Sequence, residues 1–196
     1  MRIVAGEFKS RIIESPSEKT TRPTTDRVRE SISSSVYSRL PELAGIDALD
    51  AFAGSGALGI EALSRGARSC TFIERDRAAR DVLERNLGTL GLKAPRVRVI
   101  AGDSFDIANR PSSARFGLVL LDPPYAEDVA HVHGLLLELS NHDGLLDGCV
   151  IVYEHALQDK QAVADEFEAD GRFALDGQKK YGKIGVTYLK YHDHEE

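Results

Sequence analysis

Short apolar runs alternate with longer amphipathic stretches along this chain from residue 46 onward. The short runs have the length of buried strands, and the longer stretches repeat their apolar residues with the helical period. We predict strands over 46–52, 70–73, 97–100, 118–121 and 150–153. Helices are predicted over 57–65, 129–139 and 160–169, and another helix follows the second strand and ends at about residue 90. This repeated order predicts an α/β fold with a doubly wound, largely parallel sheet and right-handed crossovers. A last strand is predicted at Ile184–Tyr191, running antiparallel.

The first 40 residues follow a different pattern. Residues 2–14 alternate loosely around Gly6 and predict a small hairpin, and a connector rich in Ser, Pro, Lys and Thr covers 15–25. A helix is predicted over 26–40, because apolar residues recur there every fourth position and Pro41 ends the run. We therefore divide the chain into an appendage, 1–40, and a main domain, 41–196.

Composition narrows the class of protein. A chain of 196 residues that is 42% hydrophobic can bury one sizeable core. Its apolar runs are too short to span a membrane and its start lacks the apolar core of a signal peptide, so we expect a cytoplasmic protein. Cys70 and Cys149 are expected to be reduced core thiols. The pairs His131/His133 and His192/His194 lack metal-site spacing and are interpreted as surface residues, so no metal is expected.

The net charge of −6 is distributed unevenly. Residues 1–40 carry a net charge of +3, and the rest of the chain carries −9. A second basic stretch runs from Lys179 to Lys183 and continues to Lys190 without an acidic residue. Basic ends on an acidic body are compatible with a polyanionic ligand, but charge runs are also typical of solvated surface.

The first predicted strand leads directly into a glycine-rich turn. Gly54, Gly56 and Gly59 form a G-x-G-x-x-G pattern, and Glu74 closes the next strand twenty residues after Gly54. Glycines let a backbone approach a ligand closely, and an acidic residue at the next strand end can bind ribose hydroxyls, so the spacing predicts a nucleotide site. The alternative is a glycine-rich turn beside a surface glutamate.

The acidic residues near this turn distinguish between nucleotides. Asp50 precedes the glycine turn, and the cationic sulfonium of S-adenosylmethionine tolerates a nearby carboxylate better than a pyrophosphate does. Asp103 follows the third strand and could meet the adenine amino group, or it could simply begin a helix.

Asp122-Pro123-Pro124-Tyr125 closes the apolar run over 116–121. In an open α/β sheet the ligand crevice lies at the carboxyl ends of the strands, and two prolines keep this turn stiff and extended. A carboxylate and an aromatic ring are therefore expected to emerge together at that edge.

Together these segments resemble the RsmD-type methyltransferases, which modify guanine N2 in 16S ribosomal RNA. The resemblance rests on residues 22–30, residues 49–67, Glu74 and the tetrapeptide 122–125. It implies a Rossmann-like class I methyltransferase fold, with a mostly parallel seven-stranded sheet and a last antiparallel strand, and S-adenosylmethionine as cofactor. The implied partner is 16S rRNA, in the small ribosomal subunit or in an assembly intermediate. Candidate cofactor-binding residues are Asp50, Phe52, Ala53, Gly54, Ser55, Gly56, Gly59, Glu74, Arg75, Asp103 and Ser104.

The tetrapeptide suits methylation of an exocyclic amine. The lone pair of such an amine is delocalised into the purine ring, so the nitrogen is a poor nucleophile until acceptors bind both N–H groups. Asp122 and the Pro123 carbonyl could be these acceptors, and Tyr125 could stack on an extruded base, although a core tyrosine is the alternative. The candidate catalytic residues are Asp122, Pro123, Pro124 and Tyr125.

Arg22, Thr24, Arg27 and Arg29 are the candidate RNA-binding residues, unless this segment only starts a solvated helix. Three other functions remain open from the sequence. The first is a DNA methyltransferase acting on the amino group of adenine or cytosine, since the tetrapeptide serves any exocyclic amine. The second is a non-catalytic RNA-binding assembly factor, and the third is a nicotinamide oxidoreductase with the same glycine spacing.

Overall fold

We describe residues 1–15, 26–108 and 114–193 of a computed structural model, without the side chains of Asp26, Arg27, Arg29 and Ile107. The chain divides into two compact units, Met1–Asp103 and Ser104–Glu196.

Within its described residues, the first unit contains three helices and three strands. They are α1 (Asp26–Arg39), β1 (Asp47–Asp50), α2 (Ala57–Ser64), β2 (Ser69–Glu74), α3 (Arg77–Thr89) and β3 (Val97–Ala101). At the amino terminus, where the sequence predicts a small hairpin, the chain forms a turn closed by a single antiparallel bridge between Arg2 and Ile12, without a regular strand. In α1 the residues Val28, Ile32 and Val36 are buried, as their spacing predicts.

The second unit contains the remaining elements. They are α4 (Ser104–Ala108), β4 (Phe116–Leu121), α5 (Val129–Asn141), β5 (Leu145–Ala156), a 3₁₀ turn (Leu157–Asp159), α6 (Lys160–Glu168), β6 (Phe173–Tyr181) and β7 (Ile184–Tyr191). All six residues of β4 are buried, which explains its unbroken apolar sequence. The Asp128 side chain caps α5 by accepting a hydrogen bond from the Ala130 amide.

The strands form a seven-stranded sheet in the order β3-β2-β1-β4-β5-β7-β6. The pairs β1–β2, β2–β3 and β4–β5 are parallel, whereas β7 runs antiparallel to both β5 and β6. This confirms the predicted mostly parallel sheet with a reversed last strand. The sequence pattern did not locate β6 or the short helix α4.

The core contains both cysteines of the chain and one histidine that the sequence analysis interprets as a surface residue. Cys70 and Cys149 are buried free thiols, as predicted. His133 is not a surface residue: it is 8% exposed and packs edge-on against Phe167 and Phe173, because it lies on the inner face of α5.

In the described ranges, no helix is both long and apolar enough to cross a membrane.

Candidate active site

The glycine turn joins β1 to α2 and packs closely against the side chains of Leu83 and Phe72. A Cβ atom on Gly56 would lie 2.3 Å from Leu83 Cδ1, and the residue has a positive φ of 81°. A Cβ atom on Gly59 would lie 2.4 Å from the Phe72 ring. Only glycine therefore fits at these two positions. At Gly54, in contrast, a Cβ atom would meet nothing within 4 Å, so there is open space beside the turn.

Asp50 holds the turn against the start of α2. Its carboxylate is 2% exposed and accepts a hydrogen bond of 2.9 Å from the Gly59 amide. Burial raises the pKa of Asp50 to about 7, the Gly59 hydrogen bond opposes this shift, and the charge of Glu74 adds to it. Asp50 is therefore a buried anchor of the glycine turn, and its carboxyl group exchanges its proton near neutral pH.

Glu74 lies at the end of β2 and is half-buried. One of its carboxylate oxygens accepts from the Gly54 amide at 2.8 Å, and the other accepts from the Asp76 amide at 2.7 Å. The sequence-predicted pair of Gly54 and Glu74 is thus brought into direct contact. Arg75 and Asp103 form an exposed ion pair of 2.9 Å.

The other predicted cofactor-binding residues occupy the same turn, except Ser104, which lies after β3. Ala53 and Ser55 are buried and Phe52 is half-buried, while Ser104 is buried at the first position of α4. Their assignment to a cofactor stays a prediction.

Asn86 is a residue of this region that the sequence pattern did not reveal. It is 2% exposed, and its side-chain amide donates to the carbonyl of Ser55 at 2.9 Å and to that of Glu14 at 3.1 Å. Its oxygen accepts from the Glu14 amide at 2.7 Å. The available signal was a polar residue beside Leu87 on the buried face of α3. Asn86 therefore joins the amino-terminal segment to the glycine turn.

The amino-terminal segment also binds to α2. The buried carboxylate of Glu61 accepts hydrogen bonds from the amides of Val4 at 2.9 Å and Ala5 at 3.1 Å. The Ser64 hydroxyl accepts from the Phe8 amide at 3.0 Å. Residues 1–14 are consequently fixed beside the elements that carry the glycine turn.

The tetrapeptide follows the last buried residue of β4 directly. Asp122 is half-buried, Pro123 is buried and Pro124 is exposed. Tyr125 is 44% exposed, so it is not a core tyrosine. The Glu127 amide donates to the Pro124 carbonyl at 2.8 Å and closes the turn. A carboxylate, a backbone carbonyl and an accessible ring therefore stand within four residues at the carboxyl end of a buried strand.

The predicted RNA-binding residues fall largely outside the part of the chain that the structure describes. Arg22 and Thr24 lie outside the described residues; Arg27 and Arg29 lie in α1, but their side chains are outside that description. Their RNA-binding role stays a prediction. Among the side chains that the structure describes, no group of three or more His, Cys, Asp or Glu residues could hold a metal ion.

Comparison with known proteins identifies the family. The family described as conserved hypothetical protein 95 matches residues 1–190. Ribosomal RNA small subunit methyltransferase D of Escherichia coli K12 is 36% identical over 158 residues, which cover 81% of this chain and 76% of that protein. The protein of the same name from Haemophilus influenzae is 33% identical over 167 residues, covering 85% and 83%.

The fold agrees with these matches. The solved structure of yhhF from Escherichia coli, described as a candidate methyltransferase, superimposes with a TM-score of 0.79 at 30% identity and covers 99% of both chains. The seven-stranded sheet is thus the class I methyltransferase fold. The chain belongs to the conserved hypothetical protein 95 family, the RsmD-type methyltransferases whose motifs its sequence resembles.

Proposed function

We propose that this protein transfers a methyl group from S-adenosylmethionine to the exocyclic N2 amine of a guanine in 16S ribosomal RNA. The observation that carries the proposal is the tetrapeptide Asp122–Tyr125, in which a half-buried carboxylate and an exposed ring directly follow the buried strand β4. The names of the relatives, ribosomal RNA small subunit methyltransferase D, support RNA of the small subunit as the substrate.

The glycine turn fits the proposed cofactor. Open space beside Gly54, the Glu74 carboxylate at the next strand end and the Asp103 carboxylate provide a cradle and acceptors for ribose and adenine. The buried Asp50 places a carboxyl group below the turn, where a sulfonium cation is tolerated and a pyrophosphate is not. S-adenosylmethionine, when bound, supplies an electrophilic methyl carbon on a positively charged sulfur.

The tetrapeptide would present the amine. Asp122 and the Pro123 carbonyl accept hydrogen bonds from the two N–H groups of the amine, which orients the nitrogen lone pair away from the ring system. The nitrogen lone pair would attack the methyl carbon that S-adenosylmethionine supplies, with S-adenosylhomocysteine as the leaving group, and Asp122 would take up the proton that the nitrogen loses. Asp122 need not be a strong base, because methylation acidifies that proton. Tyr125 stacks on the extruded base.

Labelled methyl transfer tests this function. The purified chain is incubated with methyl-labelled S-adenosylmethionine and either small-subunit rRNA or duplex DNA, and digested nucleosides are separated by mass. Label in N2-methylguanosine from rRNA is the expected result. Label in methyladenine or methylcytosine from DNA would instead establish the amino-methyltransferase of DNA and overturn the proposal.

Asp122→Ala tests the role of the carboxylate. We expect its turnover number to fall at least about 100-fold, as for other lost transition-state contacts, while cofactor affinity stays nearly unchanged. Wild-type turnover would end this mechanism. RNA affinity that is indifferent to cofactor, with no methyl transfer, would identify a non-catalytic assembly factor.

A further inference from the structure

The turn between β6 and β7 carries a cluster of exposed lysines that the proposed chemistry does not use. We call Lys179, Lys180 and Lys183 the basic hairpin; all three are exposed. Lys179 and Lys180 end β6, and Lys183 directly precedes β7. No acidic residue occurs between Lys179 and Lys190.

Strand register places the basic hairpin at the same sheet edge as the tetrapeptide. Leu121, the last residue of β4, pairs with Tyr153 of β5, so Asp122 lies level with Glu154. Glu154 pairs with Val186 of β7, and Val186 pairs with Lys179 of β6. Three strand spacings separate Asp122 from Lys179, which corresponds to about 14 Å. At about 3.4 Å for each nucleotide of a strand, roughly four nucleotides span that distance.

Hydrogen bonds hold the basic hairpin in place. The Leu157 amide donates to the Lys183 carbonyl at 2.9 Å, which ties the hairpin to the 3₁₀ turn after β5. The Gln178 side chain donates to the Lys160 carbonyl and to the Thr187 hydroxyl, both at 3.0 Å. The lysines are therefore attached to a backbone that is already ordered, which lowers the entropic cost of contacting a ligand.

The charge around the hairpin is of the opposite sign. Residues 104–196 contain 17 acidic and eight basic residues. Burial raises the pKa of the Tyr153 hydroxyl, and the charges of Asp159, Glu127 and Asp128 raise it further, so carboxylates surround the end of β5. A phosphate chain leaving the tetrapeptide along this edge passes these carboxylates, and the basic hairpin provides three positive charges beyond them.

We propose that the basic hairpin binds the phosphates of the RNA strand that flanks the target nucleotide, about four nucleotides from the methylated base. This inference rests on the proposed function, because it extends the same substrate along the sheet edge. The hairpin fixes the position of the RNA backbone, whereas the tetrapeptide acts on the base.

Salt dependence of RNA binding tests the hairpin directly. The full chain and the double variant Lys180→Gln/Lys183→Gln are titrated with a small-subunit rRNA transcript, with S-adenosylhomocysteine present, over a series of KCl concentrations. The slope of log Kd against log salt should fall by about 1.4 in the variant, since each of the two lost phosphate contacts on a single strand removes about 0.7. KM for RNA should rise while kcat stays unchanged.

The control removes the same charge elsewhere. Lys93→Gln/Lys190→Gln changes two exposed lysines, and Lys190 lies at the opposite end of β7, where it pairs with Val150 in the middle of β5. This variant should keep the wild-type salt slope. An equal slope in both double variants would overturn the proposal. The proposal would also be overturned if the hairpin variant bound RNA with wild-type affinity and differed from the wild type only by aggregating through the edge strand β6.

The same experiment separates the hairpin from the proposed function. Wild-type methyl transfer to rRNA with an unchanged variant slope refutes the hairpin alone. Absence of methyl transfer to rRNA by the wild type refutes the proposed function, and the hairpin proposal with it.

Discussion

Asp50 is a buried carboxyl group whose protonation should make the stability of the protein depend on pH. Its pKa is about 7 in the folded state, compared with 3.8 for the free side chain, because burial disfavours the carboxylate. The folded state therefore binds this proton more tightly than the unfolded state. The resulting stabilisation is complete below pH 3.8 and is lost as pH rises through 7.

Asp50→Asn should abolish this dependence, because an amide oxygen can still accept from Gly59 without carrying charge. Between pH 5 and pH 8 the wild type should lose about 3 kcal/mol of unfolding free energy relative to the variant. Urea unfolding of both proteins at the two pH values measures this difference.

Asp47 provides the matched control. Hydrogen bonding to Arg68 lowers its pKa, so its contribution to stability is present above the unfolded pKa and lost only as pH falls below it. Asp47→Asn should therefore leave the change between pH 5 and pH 8 as in the wild type. A parallel pH profile for wild type and Asp50→Asn would show that Asp50 is charged throughout.

Tyr125 allows stacking to be separated from hydroxyl chemistry. Tyr125→Phe keeps the ring and should retain most of the activity, whereas Tyr125→Ala should lower kcat/KM for rRNA roughly 5- to 150-fold, the equivalent of one stacked base. Steady-state kinetics of the two variants makes the comparison. Equal losses in both would assign the role to the hydroxyl group.

At the scale of elements, the link from the amino-terminal segment through Asn86 to the glycine turn can be cut from one side. Glu14→Pro removes the amide that donates to the Asn86 oxygen but leaves the Asn86 bond to Ser55. A buried acceptor left unpaired should lower the free energy of unfolding by about 1 to 3 kcal/mol, measured by urea denaturation.

Glu14→Ala is the control, because it keeps the backbone amide and loses only the exposed ion pair with Arg85. It should unfold close to the wild-type urea concentration. If the proline and alanine variants have the same midpoint, the Asn86 contact does not stabilise the segment.

Elements with a clear apolar pattern, either periodic or unbroken, were predictable, and those without one were not. All six residues of β4 are buried and apolar, so its sequence could only be a core strand. β6 contains Asp176, Gly177 and two lysines, has a register shift after Leu175, and lies at the sheet edge, so packing on one side fixes a strand that its sequence does not favour. α4 has only five residues, too few for a helical period.

At the scale of the whole molecule, the strand-helix alternation and the handedness of crossovers limit the possible topologies, and the observed strand order is among them. Contacts between distant segments could not be predicted in this way. Asn86 binds Glu14 across 72 positions, and His133 binds Glu166 across 33, so neither environment leaves a local signal. The glycine turn could be predicted because its glycines stand at fixed short spacings in the sequence, although the side chains that exclude a Cβ atom there, Leu83 at Gly56 and Phe72 at Gly59, come from other elements.

Whether the glycine turn binds a methyl donor or a dinucleotide can be measured on the whole molecule. A ligand that binds only the folded state stabilises the protein against global unfolding. S-adenosylmethionine at about 100 times its Kd should add roughly 2.7 kcal/mol, or about 5 to 10 °C in Tm for a chain of this size. NADH at the same concentration should add nothing, since the buried Asp50 carboxyl group at the glycine turn opposes its pyrophosphate. At the same S-adenosylmethionine concentration, Glu74→Ala should retain at most about half of the gain, given a loss of tenfold or more in affinity. Stabilisation by NADH alone would make the glycine turn a dinucleotide site and remove the basis for methyl transfer.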